Sequence, residues 1–184
     1  MGPQTMAAIA AIVGTCTGML GALGAARLNG TMQRRSQHEH WRRDGRRQAY
    51  AAFVEAAVDY SEAIGTVQAN GGALGNHHGP EAEALCRRVD EMRPAVSKAL
   101  ALVLVEGPEE VAHAAHQAVR TMTAWACVAG VYPPQHPLAG SRSVRSVFRD
   151  GLTDVGELSD TAWERIREFE TQARTALDHP LPVR

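Results

Sequence analysis

The feature that most constrains this chain is an apolar stretch near its beginning, Met6–Leu28, which reads MAAIAAIVGTCTGMLGALGAARL. It contains no charged residue before Arg27, and its polar residues are only threonine and cysteine. An apolar run of about 20 residues is long enough for a helix to cross the hydrocarbon core of a bilayer. The sequence after it is rich in arginine, glutamate and aspartate. The pattern therefore predicts an N-terminal transmembrane anchor over residues 1–30.

A cleaved signal peptide is the alternative interpretation of this stretch. Signal peptides carry positive charge before the apolar core and small residues at the cleavage site. Residues 1–5 contain no lysine or arginine, although Ala22 and Gly24 would suit a cleavage site. The arginines follow the stretch instead, and positive charge favours the cytoplasmic side. We therefore expect a retained, single-pass protein of the cell membrane, with the N-terminus outside and the remaining chain in the cytoplasm.

Arginines cluster directly after the apolar stretch, over residues 31–48. This range is predicted to be a basic juxtamembrane extension of the helix, with these candidate lipid-headgroup residues: Arg34, Arg35, Arg42, Arg43, Arg46 and Arg47. Each contributes about 1 kcal/mol of attraction near an anionic membrane surface. An arginine-rich helix could also enter a nucleic-acid groove. The adjacent membrane segment favours lipid, and with a net charge of −1 no nucleic-acid partner is expected.

Small residues recur every four positions within the apolar stretch. Gly14, Gly18 and Ala22 would share one helix face, and Gly14-Thr15-Cys16-Thr17-Gly18 is a GxxxG motif. Such a face lets two membrane helices approach closely. It makes a homo-oligomer a candidate assembly, although glycine and alanine are also common throughout this chain.

Four amphipathic stretches follow, and no strand-like alternation of useful length is present. The fold prediction is an all-α protein: an N-terminal transmembrane helix followed by an antiparallel four-helix bundle. Residues 49–178 form the cytosolic bundle and residues 179–184 a tail. The expected helices cover residues 31–68, 80–105, 109–129 and 141–178. A kink is expected at Pro94, and Gly151 and Gly156 leave open a division of the last helix into two.

The apolar residues of each stretch follow helical spacing and define a predicted core face. On the first and third helices these residues are Tyr50, Phe53, Val54, Ala57, Tyr60, Ile64, Val67, Val111, Ala115, Ala118, Met122, Trp125 and Ala126. On the second and fourth they are Leu85, Val89, Met92, Val96, Ala99, Leu100, Val103, Phe148, Leu152, Val155, Ala162, Ile166, Phe169, Ala173 and Leu177.

One motif resembles metal chemistry. Glu110-Val111-Ala112-His113 is an ExxH sequence on a helix, and di-iron bundles use two such motifs with two further glutamates. No second ExxH occurs, so Glu110, His113 and His116 are weak metal candidates beside the alternative of an ordinary polar surface. No catalytic motif, nucleotide-binding motif or cofactor site is predicted, and the three cysteines include no CxxC pair.

The segment Trp41-Arg42-Arg43-Asp44-Gly45-Arg46-Arg47-Gln48-Ala49-Tyr50-Ala51-Ala52-Phe53, after a short apolar segment, resembles a group of small membrane-associated helical proteins of streptomycetes and related actinobacteria. The turn Gly107–Val111 and the closing helix Phe169–Leu177 are also similar. The resemblance covers most of residues 35–178. It implies a helical fold and a bacterial source, and it implies no activity.

Together these patterns predict a membrane-anchored helical protein that acts as an interaction scaffold or signalling partner of another protein, without a catalytic site. The alternative is a membrane-active effector whose Gly-rich helix oligomerises and perturbs the bilayer. A metal-dependent bundle enzyme is the third hypothesis. Buried carboxylates and histidines that converge between helices would favour the enzyme.

Overall fold

The computed structural model describes residues 41–70, 79–132 and 135–178, and this part of the chain is all-helical, without a strand. The all-α prediction is confirmed at that level. The chain divides into two compact units, Met1–Arg43 and Asp44–Arg184. Within the described ranges, no helix combines the length and the hydropathy needed to cross a membrane. The predicted anchor, its small-residue face, and Arg34 and Arg35 lie outside the described residues.

Five helices occur in the described ranges. Helix α1 covers residues 41–69, α2 is Pro80–Glu106, α3 is Glu109–Val128, α4 is Arg142–Arg149 and α5 is Val155–Asp178. Pro80 occupies the first turn of α2, where its missing N–H costs nothing, and Glu81 and Glu83 complement the partial positive charge of that helix end. Helix α2 continues through Pro94 without interruption.

The expectation of one long helix over residues 141–178 is wrong, and the division left open at Gly151 is correct. Gly151 adopts a φ of 92°, a left-handed conformation that glycine reaches without steric cost. Each new helix then has its own polar cap. The Ser141 hydroxyl accepts from the backbone N–H of Val144, and the Asp154 carboxylate accepts from the backbone N–H groups of Gly156 and Glu157. Gly156 itself lies inside α5.

Helix α3 lies at the centre of the second unit, where it packs against α2, α4 and α5. Its small residues Ala114, Ala115, Ala118 and Ala126 are buried and let neighbouring helices approach. All the predicted core residues of α3 are buried, as are those of α1 except the half-buried Val54. On α1, Phe53 packs against Phe169 of α5 with ring centroids 4.5 Å apart.

Contacts at the helix ends establish the relative directions of four helices. Arg46 near the start of α1 meets the end of α2, because its Nε donates to the carbonyl oxygen of Glu106 at 2.9 Å. Near the other end of α1, the Gln68 Oε1 accepts from the Nε1 of Trp125, late in α3, at 2.8 Å. Helix α1 therefore runs opposite to α2 and in the same direction as α3. Phe169, late in α5, meets the early α1 residues Tyr50 and Phe53.

Candidate functional site

The predicted metal residues lie on the exposed side of α3, near its start. Among the described residues, no three His, Cys, Asp or Glu side chains are grouped closely enough to hold a metal ion. Glu110, His113 and His116 are all exposed. The His113 Nε2 lies 3.2 Å from the Nε2 of Gln117, in the next turn. The structure therefore does not bring the three candidates together as a ligand set.

The charges that act on His116 are positive. Arg120, one turn after His116, donates from its two terminal nitrogens to the Gln117 Oε1 at 2.9 Å and to the Ser146 Oγ of α4. The pKa of His116 is lowered, first by desolvation and then by the charges of Arg120 and His113. A lowered pKa keeps this imidazole neutral at physiological pH. The hydrogen bond from Arg120 to Ser146 fastens α4 to α3.

The predicted headgroup arginines have different environments. Arg47 is exposed, as are Arg42 and Arg43 of the first unit. Arg46 is half-buried and donates to the last carbonyl of α2. Helix α2 has no basic residue in its own last turn, so Arg46 supplies the cation that its partial negative charge favours. The guanidinium of Arg46 therefore makes a hydrogen bond within the helical domain.

An exposed apolar surface lies on α2 near this same end. Leu102, Leu104 and Val105 form it and are called the α2 patch below; their exposed fractions are 44, 51 and 80 %. Exposure of leucine and valine side chains to water is unfavourable by about 25 cal/mol for each Å² of apolar surface. Neighbouring exposed apolar residues commonly mark a contact with a protein or a membrane.

The cysteines of the described part do not provide an activated nucleophile. Burial raises the pKa of the half-buried Cys127 thiol to about 11, and burial also raises the pKa of Cys86. A cysteine nucleophile acts as the thiolate, so a raised pKa lowers its reactivity at neutral pH. Near Cys127, the hydroxyl groups of Tyr60 and Tyr132 form a buried hydrogen bond of 3.0 Å. This cluster joins α1 to the segment after α3.

A cleft of about 390 Å³ lies between α1, α3 and α5. Trp125 of α3 and Trp163 of α5 line it, together with Ser61, Glu62 and Gln68 of α1. Trp125 is buried, whereas Trp163 is half-buried. Gly65 adds to the width of the cleft, because a Cβ there would approach the Trp125 ring to 3.7 Å. Pockets of this size bind small molecules when apolar walls surround a few polar groups.

Ser61 is the unusual member of this cleft. It is fully buried, and its Oγ has no hydrogen-bond partner among the described residues. Hydroxyls elsewhere on these helices bond to the carbonyl four residues earlier, as Thr121 and Thr123 do. Sequence patterns did not identify Ser61 as a site residue, because a single serine on an amphipathic helix has no distinguishing pattern. The only signal was its position beside the predicted core residue Tyr60.

No family model, curated protein or solved structure matches the chain. The resemblance to the streptomycete group therefore stays a prediction.

Proposed function

We propose that the protein is a membrane-anchored helical interaction module, with its helical domain held at the cytoplasmic surface of the cell membrane. The observation that carries this proposal is the charge-free stretch before Arg27, followed by arginines and then by an all-helical domain. The stretch supplies the anchor and the arginines supply the orientation. The domain would serve as a scaffold or signalling partner for another protein.

The helix directions support the finer architecture that we propose for this domain. Helices α1, α2, α3 and α5 alternate in direction, which suits an antiparallel four-helix bundle with α4 as an addition before the last helix. Such a bundle presents rigid helix faces to a partner. Among the buried residues of the described part, the polar ones are Ser61 and Thr121. This core composition suits a binding module better than a carboxylate-rich metal enzyme.

The α2 patch supports a position against the membrane. The start of α1 and the end of α2 are joined by the hydrogen bond from Arg46 to Glu106, and the α2 patch occupies the last two turns of α2. We propose that the bilayer surface covers the α2 patch, since interfacial burial of leucine and valine adds to the anchoring free energy.

Membrane extraction tests the anchor. We expect the full chain to stay with membranes during an alkaline carbonate wash and to leave them only in detergent. The double variant Val13→Arg and Leu20→Arg places two charges in the stretch, each opposing insertion by about 2.5–3.5 kcal/mol. It should appear in the soluble fraction, whereas the control Leu181→Arg with Val183→Arg should not. Release of the unmodified chain by carbonate would contradict the anchor.

Protease access tests the orientation. The helical domain should be cleaved in inverted membrane vesicles and protected in intact spheroplasts, because the arginines after the stretch favour the cytoplasmic side. The opposite pattern would place the domain outside and would remove the proposed cytoplasmic role.

Crosslinking tests self-association through the small-residue face. Replacing Gly14 and Gly18 with leucine prevents close helix contact and should lower the yield of crosslinked dimer in membranes. The matched control is Leu23→Ala, which leaves both glycines in place. An equal dimer yield in all three proteins would show that this face does not mediate association.

A fluorescent label tests the contact between the α2 patch and the bilayer. An environment-sensitive dye on Val105→Cys should shift to shorter wavelength on reconstitution into vesicles, whereas the dye on Glu91→Cys, also exposed on α2, should not. The background carries alanine at Cys16, Cys86 and Cys127. Equal emission from the two positions would exclude this contact and leave the anchor itself in place.

A further inference from the structure

The cleft between α1, α3 and α5 is lined by one negatively charged side chain and by no positively charged one among the described residues. Glu62 is the only ionisable side chain among the described residues that line it, and no lysine, arginine or histidine joins them. Glu62 makes no salt bridge with another residue of the described part. Glu62 also borders a second groove, between α1 and α2, to which Arg88 contributes, and within the described domain this arginine forms no salt bridge with it.

Two indole rings border the same space. Trp125 is fixed in position by its hydrogen bond to Gln68, and Trp163 lies one helical turn after Ser159 on α5. The face of an indole ring carries negative electrostatic potential and attracts cations, most strongly where water is excluded. Two indoles beside one carboxylate are the chemistry that recognises an organic ammonium group.

The cleft also contains a polar group that forms no hydrogen bond with any other described residue. The Oγ of Ser61 is buried without a partner in the described part of the chain, and leaving a buried hydroxyl unpaired costs about 1–3 kcal/mol. The Gln68 Oε1 is already occupied by the Trp125 N–H. An N–H group that reached Ser61 would recover this cost. Small side-chain shifts would be needed to admit it, because the oxygen is covered from water.

We propose that this cleft binds an alkylammonium cation, with its charge beside Glu62, its alkyl groups against the indoles of Trp125 and Trp163, and an ammonium N–H donated to the Oγ of Ser61. The chemistry is shared by soluble amines and by the headgroups of ammonium-bearing lipids. The proposal stands apart from the membrane anchor, since it depends only on residues of the second unit.

Intrinsic fluorescence tests the proposal on the full chain in a maltoside detergent, which carries no ammonium group. Trp41→Phe leaves the two cleft tryptophans as the only tryptophan emitters. Titration with ethylammonium chloride at constant ionic strength should give a saturable change with a Kd at or below about 1 mM, equivalent to about −4.1 kcal/mol. A linear response equal to that of sodium chloride would overturn the proposal.

Matched variants locate the bound cation. Glu62→Gln should weaken binding about tenfold or more, whereas Glu55→Gln removes the same charge from an exposed position of α1 and should leave Kd unchanged. Gly65→Ala should also weaken binding, because the added methyl narrows the cleft, although the substitution favours the helix by about 1 kcal/mol. Equal Kd values for Glu62→Gln and Glu55→Gln would exclude the cleft.

A second cation tests the role of Ser61. Ser61→Ala should weaken ethylammonium binding several-fold and leave tetramethylammonium binding unchanged, because the latter has no N–H to donate. Thermal unfolding of each variant shows whether it remains folded, and Ser97→Ala on the exposed side of α2 is the control. Equal weakening of both cations by Ser61→Ala would contradict the hydrogen bond and overturn this part of the proposal.

Vesicle competition distinguishes the two sources of the cation. Displacement of ethylammonium by vesicles that contain phosphatidylethanolamine, but not by vesicles of phosphatidylglycerol alone, would support a lipid headgroup as the ligand. Binding that neither vesicle displaces would support a soluble amine. Both outcomes require the cation site, and failure of the proposed anchor in the carbonate wash would leave it intact.

Discussion

The phenol oxygens of Tyr60 and Tyr132 lie 3.0 Å apart in the interior of the domain, although 72 positions separate the two residues in sequence. Tyr60 belongs to α1, and Tyr132 follows α3. Stacking of His136 on the Tyr132 ring, with centroids 4.7 Å apart, extends the contact toward the next segment. One hydrogen bond therefore fixes the position of a chain segment that has no helix of its own.

A double-mutant cycle measures the free energy of this contact. Tyr60→Phe and Tyr132→Phe should each lower the free energy of unfolding by about 1–3 kcal/mol, because each leaves the other buried hydroxyl unpaired. The double variant removes both hydroxyls and should be less destabilised than the sum, by about 0.5–3 kcal/mol. Urea unfolding followed by circular dichroism gives these values. Strict additivity would show that the two hydroxyls do not interact.

The same two tyrosines predict a loss of stability in alkaline solution. Burial raises the pKa of both phenols above their ordinary value of 10.0, so above that pH the unfolded chain loses their protons first. The folded state then binds more protons, and the free energy of unfolding must fall as pH increases. The contribution of the two protonated phenols to the free energy of unfolding is therefore fully present below pH 10.0 and decreases above it.

Urea unfolding midpoints measured between pH 9 and pH 11 test this dependence, because the ordinary phenol pKa of about 10 lies within that interval. The Tyr60→Phe, Tyr132→Phe double variant should lose less stability over this interval than the unmodified protein. The stability of the double variant should still decrease somewhat with pH, because burial also raises the pKa of Tyr50. Identical slopes in the two proteins would indicate that other groups control the alkaline transition.

Gly107 is expected to tolerate no side chain. A Cβ at this position would lie 2.8 Å from the carbonyl oxygen of Val103 and 3.2 Å from the hydroxyl of Tyr50. Gly107→Ala should therefore lower the free energy of unfolding by about 1–3 kcal/mol. At Gly140 a Cβ would meet no described atom within 4 Å, so Gly140→Ala should be neutral within about 0.5 kcal/mol. Equal melting temperatures for the two variants would contradict this distinction.

Arg46 and Arg47 are adjacent but should differ in their effect on stability. Arg46→Ala removes the hydrogen bond to the Glu106 carbonyl and should cost about 1 kcal/mol of unfolding free energy. Arg47 is exposed, and Arg47→Ala should change this free energy by less than about 0.5 kcal/mol. Chemical unfolding of both variants provides the comparison. A larger loss of unfolding free energy from Arg47→Ala than from Arg46→Ala would contradict the stabilising role of Arg46.

Helix periodicity predicted the core of this domain well because the apolar face of each helix follows from residues close together in the chain. Phe53, Ala57 and Ile64 are buried as their spacing predicts, since residues three or four apart share a helix face. The same reasoning failed at residues 150–154. The apolar spacing continues from Phe148 to Val155, whereas the structure ends α4 at Arg149, places Gly151 at a φ of 92° and begins α5 at Val155.

The candidate sites depend on contacts that no local pattern encodes. Arg46 belongs to a basic cluster in sequence, yet its hydrogen bond is with a residue 60 positions away. Ser61 and Trp163 line one cleft only because α1 and α5 pack together, and their spacing in the chain does not indicate this. The sequence therefore predicted which helix faces are buried, and the structure was needed to identify the cleft.

The hydrogen bond between Arg46 and Glu106 has a mechanical consequence. A pulling force on the chain at the start of α1 would reach the turn between α2 and α3 through this bond, before it strained the aromatic contacts around Phe53. Tension on the preceding segment would then act first on the turn at Gly107, where an added Cβ would lie 3.2 Å from the Tyr50 hydroxyl. The junction of the first three helices is thus the point at which the domain would respond to load.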